Sequence, residues 1–158
     1  MIHGGMGGDE MRYRSADFQV DGAMRDVCIL DAEIQDWQRV LSSLPSLEWV
    51  VSFSTTLAEE PANIFENARA LFDALGYDRE ASATLAIQVG GTWFTCYFFE
   101  VEEIEFTFDT GDVFDEISFV LLESFMIWLG EACGKRVIMT MEGTDHRSMP
   151  ALLEYTPV

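Results

Sequence analysis

Residues 100–116 read EVEEIEFTFDTGDVFDE and hold eight carboxylates (Glu100, Glu102, Glu103, Glu105, Asp109, Asp112, Asp115 and Glu116) without one basic residue. Carboxylates at this density suit three kinds of chemistry. They can draw in a cationic partner, work in pairs as general acid and base, or hold a hard cation. The cation reading fits poorly, because DTGDVFDE does not follow the Asp-x-Asp-x-Asp-Gly order of a calcium loop. Acid–base pairing has no distinguishing spacing in a chain where acids are everywhere. Attraction of a cationic partner is what the composition favours. Neighbouring like charges repel by roughly a few tenths of a kcal/mol per pair, and no local base relieves them. Burial against lysine and arginine would. Trp93 and Tyr97, just upstream, are candidate aromatic anchors for such a partner.

Other chemistry is sparse. There are two histidines, His3 and His146. TDHRSMP (144–150) sets Asp145, His146 and Ser148 side by side, but adjacency in sequence is not triad geometry. A surface turn is the expectation there. Cys28, Cys96 and Cys133 are far apart and odd in number, as reduced, buried thiols would be. No HExxH and no local Cys/His ligand set is present, and VGGT lacks the lysine of a phosphate loop. No catalytic residue, metal or cofactor is therefore expected.

The whole chain has 158 residues, with 28 acids against 9 bases and a formal charge of −19. From Glu80 to Gly134 there are eleven acids and no base. Such a surface repels nucleic acid and anionic membranes alike. A hydrophobic fraction of 49%, with 12 Phe and 4 Trp, argues for a packed core. The most apolar window, FVLLESFMIWL (119–129), is too short to span a bilayer and contains Glu123. No secretory leader is visible, so a cytoplasmic location is expected.

The elements that must position these residues follow from periodicity. Residues 1–10, with four glycines, read as a flexible tail, and 11–158 as one domain. RYRSADFQVDG and RDVCILDAEI predict two short strands around Asp21–Gly22. Helices are expected at 33–44, at 60–76 behind Pro61 with Ile64, Ala68, Leu71, Phe72 and Leu75 as its stripe, and at 111–134. Asp112 is the expected cap of the last, with Val113, Ile117, Val120, Leu121, Phe125, Trp128 and Ala132 as its buried face. Strands are expected at 47–57, at 83–89 and 92–101 around Gly90–Gly91, at 103–109, at 135–143 and near Leu153. The 103–109 strand should bury Ile104, Phe106 and Phe108 and point Glu103 and Glu105 at water. Several of the acids should then converge near one end of the sheet. The order predicts an α+β domain: a mainly antiparallel sheet with three helices packed on it, the longest near the C-terminus.

The stretch FMIWLGEACGKRVIMTMEGTDHRSMPALLEYTP (125–157) ends a helix in glycine, opens a strand on a basic pair and closes on LLEY. It resembles small bacterial immunity proteins, which block secreted toxins inside the cell that makes them. The resemblance implies a single-domain, non-enzymatic, cytoplasmic inhibitor of one cognate toxin domain with a basic active-site cleft. Two other readings stay open. One is a nucleic-acid mimic that sequesters a DNA-binding protein, which needs acids in an extended row. The other is a carboxylate-dependent hydrolase, which needs a deep pocket and a desolvated acid.

Overall fold

A computed structural model describes residues 11–57, 67–143 and 145–158. The proposed glycine tail, the start of the 60–76 helix with Pro61 and Ile64, and Thr144 lie outside them. Seven strands form one antiparallel sheet: β1 (Met24–Ile29), β2 (Val50–Thr55), β3 (Ala83–Val89), β4 (Thr92–Cys96), β5 (Ile104–Asp109), β6 (Val137–Met141) and β7 (Leu153–Tyr155). Their order in space is β2-β3-β4-β5-β1-β6-β7. Among the described residues three helices accompany them, α1 (Ile34–Ser43), α2 (Ala68–Tyr77) and the long α3 (Glu116–Cys133). The fold class is α+β, as the order of patterns predicts. Among the described residues no helix is long and apolar enough to cross a membrane.

Residues paired across an antiparallel ladder project to the same side. Val27 lies opposite Phe106 and Met139, and Ile29 opposite Ile104. These side chains, with Phe94 and Phe108, are buried under the helices. The Phe94 and Phe125 rings stack in parallel with centroids 3.9 Å apart, which seats α3 on β4. Trp37 of α1 packs on Phe72 and Phe98, and its Nε1 donates to the Val101 carbonyl at 2.8 Å. Gly90 turns the β3–β4 hairpin with φ of +63°, and a Cβ there would lie 2.3 Å from Leu121 of α3. The turn's positive φ therefore favours glycine, and any side chain there would also push Leu121 aside.

Three expectations are corrected. Residues 15–18 form a 3₁₀ turn and not a strand. Both edges of β1 are already taken, by β5 and β6, so no edge is left for a hairpin partner. Phe18 instead tucks between Tyr13, Phe108 and Phe119. The long helix starts later, at Glu116, because Asp115 and Ser118 form a reciprocal cap while Asp112 falls in a 3₁₀ turn. Its buried face is also rotated. Phe119, Leu122, Phe125, Met126, Leu129 and Cys133 go inward, whereas Ile117 and Val120 are 75% and 50% exposed. The helix is apolar nearly all round, so periodicity could not set its phase. Phe125 on Phe94, and Gly130 against Tyr155 and Val137, set it instead.

Candidate functional site

The helices cover one side of the sheet. The other side carries the alternate residues of each strand. On β2, β3 and β4 these are uncharged: Val50, Ser52, Ser54, Thr84, Ala86, Gln88, Trp93, Thr95 and Tyr97. On β5 and β1 they are Glu105, Thr107, Asp26 and Cys28, since Thr95 pairs with Thr107, Thr107 with Asp26, and Glu105 with Cys28. One half of this open face is neutral and accessible, and the other is charged.

The charged half is roofed by the connection from β6 to β7, which folds back over β1. Arg147 pins it by donating to the Leu30 carbonyl at 2.6 Å and to Asp31 at 2.7 Å. The Gly143 amide donates to Asp26. His146 plugs into the sheet from this connection and is 2% exposed, so it is a buried residue and not part of a surface turn. Its Nε2 lies 2.8 Å from Asp26 Oδ2 and its Nδ1 lies 2.7 Å from Glu103 Oε2. Ser148 takes no part; its hydroxyl donates to the Asp145 carbonyl. Burial pushes the His146 pKa down, but the Asp26 hydrogen bond and the charges of Glu103 and Asp26 outweigh it, and the net shift is upward. With a carboxylate oxygen facing each ring nitrogen, the site favours the imidazolium form. Asp26, 1% exposed, also accepts from the Thr107 hydroxyl at 3.0 Å.

Glu103 and Glu105 do not simply face water. Glu103 is the outer partner of His146, and Glu105 is half-buried beside it. Desolvation first, then the nearby Asp26 charge, pushes the Glu105 pKa up to about 7, against the lowering by His146. Cys28, opposite Glu105, is fully buried, and desolvation with the Asp26, Glu103 and Glu105 charges holds its thiol protonated. A ring nitrogen of His146, a Glu103 oxygen and Cys28 Sγ lie within 4.8 Å of one another. So do ligand atoms of Asp26, Glu105 and His146. No local ligand set exists in the sequence, yet the sheet assembles one from residues up to 120 positions apart.

The remaining acids fall elsewhere. β5 separates Glu100, Glu102, Glu103 and Glu105 at its start from Asp109, Asp112, Asp115 and Glu116 at its far end. Four residue steps, from Glu105 to Asp109, put even the nearest members of the two groups about 14 Å apart, so the eight do not converge at one end. Asp109 accepts from the Gly111 amide at 2.8 Å, and Asp115 caps α3 through the Ser118 amide. Burial, then Asp109, raises the Asp112 pKa. None of the eight forms an ion pair with lysine or arginine among the described residues.

β4 runs between the two groups on the open face. Its ladder places Trp93 toward Asp109 and Tyr97 toward Glu105. Just after it, Phe98 has a φ of +58°, a left-handed conformation that a bulky residue rarely adopts. Its ring is locked into the core by Trp37, Phe53 and Phe72. This twist throws Tyr97 and Phe99 outward, where their rings stack at 5.6 Å. Phe99 is 79% exposed. Strand periodicity alone could not reveal it, since the expected strand ran on to residue 101 and the left-handed residue has no signature in its type. No protein family, no curated protein and no solved structure matches this chain.

Proposed function

We propose that this protein is an immunity-type inhibitor that covers the basic active-site cleft of a cognate toxin domain with the open face of its sheet. One observation carries the reading. An uncharged, accessible face with three outward aromatic rings (Trp93, Tyr97 and Phe99) is bordered at both ends by carboxylates that form no ion pair with lysine or arginine among the described residues. Aromatic rings supply contact energy at protein interfaces, and the flanking acids speed encounter with a cationic surface and fix its register. The strain at Phe98 supports the same place, because it serves to present Tyr97 and Phe99.

The other readings fit less well. A nucleic-acid mimic needs an unbroken row of acids, whereas Thr95 and Thr107 occupy the centre of this face. A hydrolase has Glu105 in its favour, as a carboxylate raised to about 7 is what acid catalysis uses. The cavity that Glu105 shares with Trp37, Tyr97, Phe98 and Phe99 is only about 20 Å³, however, which is room for about one water molecule.

Co-expression tests the proposal. The product of the adjacent open reading frame should be toxic alone and harmless beside this protein. A neighbour that is harmless alone, or that stays lethal with the folded protein present, would sink it. With the partner in hand, Glu100→Lys combined with Glu102→Lys should slow association at least tenfold at low salt and flatten its salt dependence. An unchanged rate would place the interface elsewhere.

A further inference from the structure

We propose that Cys28, Glu103 and His146 form a binding site for a zinc-like divalent ion, independently of any toxin partner. The donors are a thiol, a carboxylate and an imidazole, drawn from β1, the residue preceding β5, and the β6–β7 connection. This is a mixed set and not a group of carboxylates. Sulfur and nitrogen donors select zinc and its late first-row neighbours over magnesium or calcium.

Two features make the site more than a coincidence of residues. The first is its distances. The three donor atoms lie within 4.8 Å of one another, and a tetrahedral zinc holds nitrogen and sulfur about 3.5 Å apart. Glu103 Oε2, which hydrogen-bonds Nδ1 at 2.7 Å, must swing outward to about 3.3 Å to admit the ion, a movement its partly exposed side chain allows. The second is the partner on the far side of the ring. Ligating histidines regularly donate their other N–H to a fixed carboxylate, which sets the tautomer and aims the ring. Asp26 is such a carboxylate: 1% exposed, 2.8 Å from Nε2, and held by Thr107 and the Gly143 amide. Nδ1 is then the nitrogen that faces the ion. Glu105 groups instead with Asp26 and His146, so the fourth position of a tetrahedral ion at this site would be taken by water.

Binding replaces protons with metal. The ion takes the electron pair of His146 Nδ1, whose proton leaves to solvent, and bonds Cys28 as thiolate, whose proton leaves likewise. No oxidant or reductant is involved. Since both the sheet and the roofing connection supply ligands, the ion would also tie the roof to the sheet.

The full chain, stripped with a chelator, should be titrated with cobalt(II) and then zinc(II). One equivalent of cobalt should bind, give a sulfur-to-cobalt charge-transfer band in the near ultraviolet, and be displaced by zinc. Cys28→Ser should abolish that band and weaken zinc binding at least tenfold while leaving the metal-free melting temperature within a few degrees. Glu103→Gln, a second variant at a less buried position, should weaken binding while keeping the band. Glu116→Gln should change nothing. Failure to bind one equivalent, or a cobalt spectrum without the sulfur band in the parent chain, would overturn the assignment and leave only loose binding to surface acids.

Discussion

The two ends of β5 both carry carboxylates and use them in opposite ways. At the start of the strand, Glu103 and Glu105 lie against the buried His146 ring, and the Glu105 pKa is pushed up to about 7. At its end, Asp109 and Asp115 stay in water and tie down backbone amides at a turn and at a helix start. The first group has lost solvent, and its energy depends on one partner, His146. The second keeps its solvent, and its hydrogen bonds are local. Acidity in a sequence therefore says little about what a carboxylate does; burial and the nearest donor decide it.

The contrast can be broken most forcefully at His146. Replacing it with alanine leaves Asp26 buried without its cation, which should lower stability by about 3 kcal/mol in urea unfolding. Glu116→Ala at the other end should stay within about 0.5 kcal/mol of the parent. Equal effects would mean that the two ends do not differ as described. A smaller loss is expected from Ser118→Ala. It removes the hydroxyl that accepts from the Phe114 and Asp115 amides, and about 1 kcal/mol of helix-start stability should go with it.

The smallest effect concerns pH. Amide and hydroxyl bonds from Ser118 hold the Asp115 pKa below its ordinary 3.8. A depressed folded pKa contributes stability that is present above the unfolded value and is lost as pH falls through the folded one. Asp115→Asn, which keeps a capping oxygen, should therefore be less stable than the parent at pH 7. The two should converge at the acid end of the titration. A constant gap from neutral to acid pH would show that charge plays no part in the cap.

Much of the architecture was legible in the chain. Ile104, Phe106 and Phe108 alternate as a half-buried strand must, Gly90–Gly91 marks the β3–β4 hairpin, and Gly134 stops α3 at a φ of +66°. These signals are local: each depends on a residue and its immediate neighbours. What failed was also physically of one kind. The phase of α3, the 3₁₀ turn at 15–18 and the left-handed Phe98 are all set by packing partners remote in sequence. Asp115, where Asp112 was expected, caps α3 because Ser118 three residues on completes a reciprocal pair with it. The candidate face was half legible, since Trp93, Tyr97 and the acids stand out by type, whereas Phe99 and His146 did not.

By itself the sequence determined a negatively charged α+β domain, its strand and helix order from β1 onward, and a run of acids without counter-charge. Charge and periodicity are properties of residues and their near neighbours, so they survive without coordinates. Only the tertiary structure decided which acids meet a partner. β1 threads between β5 and β6, bringing residues 26, 28, 103, 105 and 146 to one spot on the sheet. That meeting is a matter of strand order and register, which no stretch of the chain encodes alone.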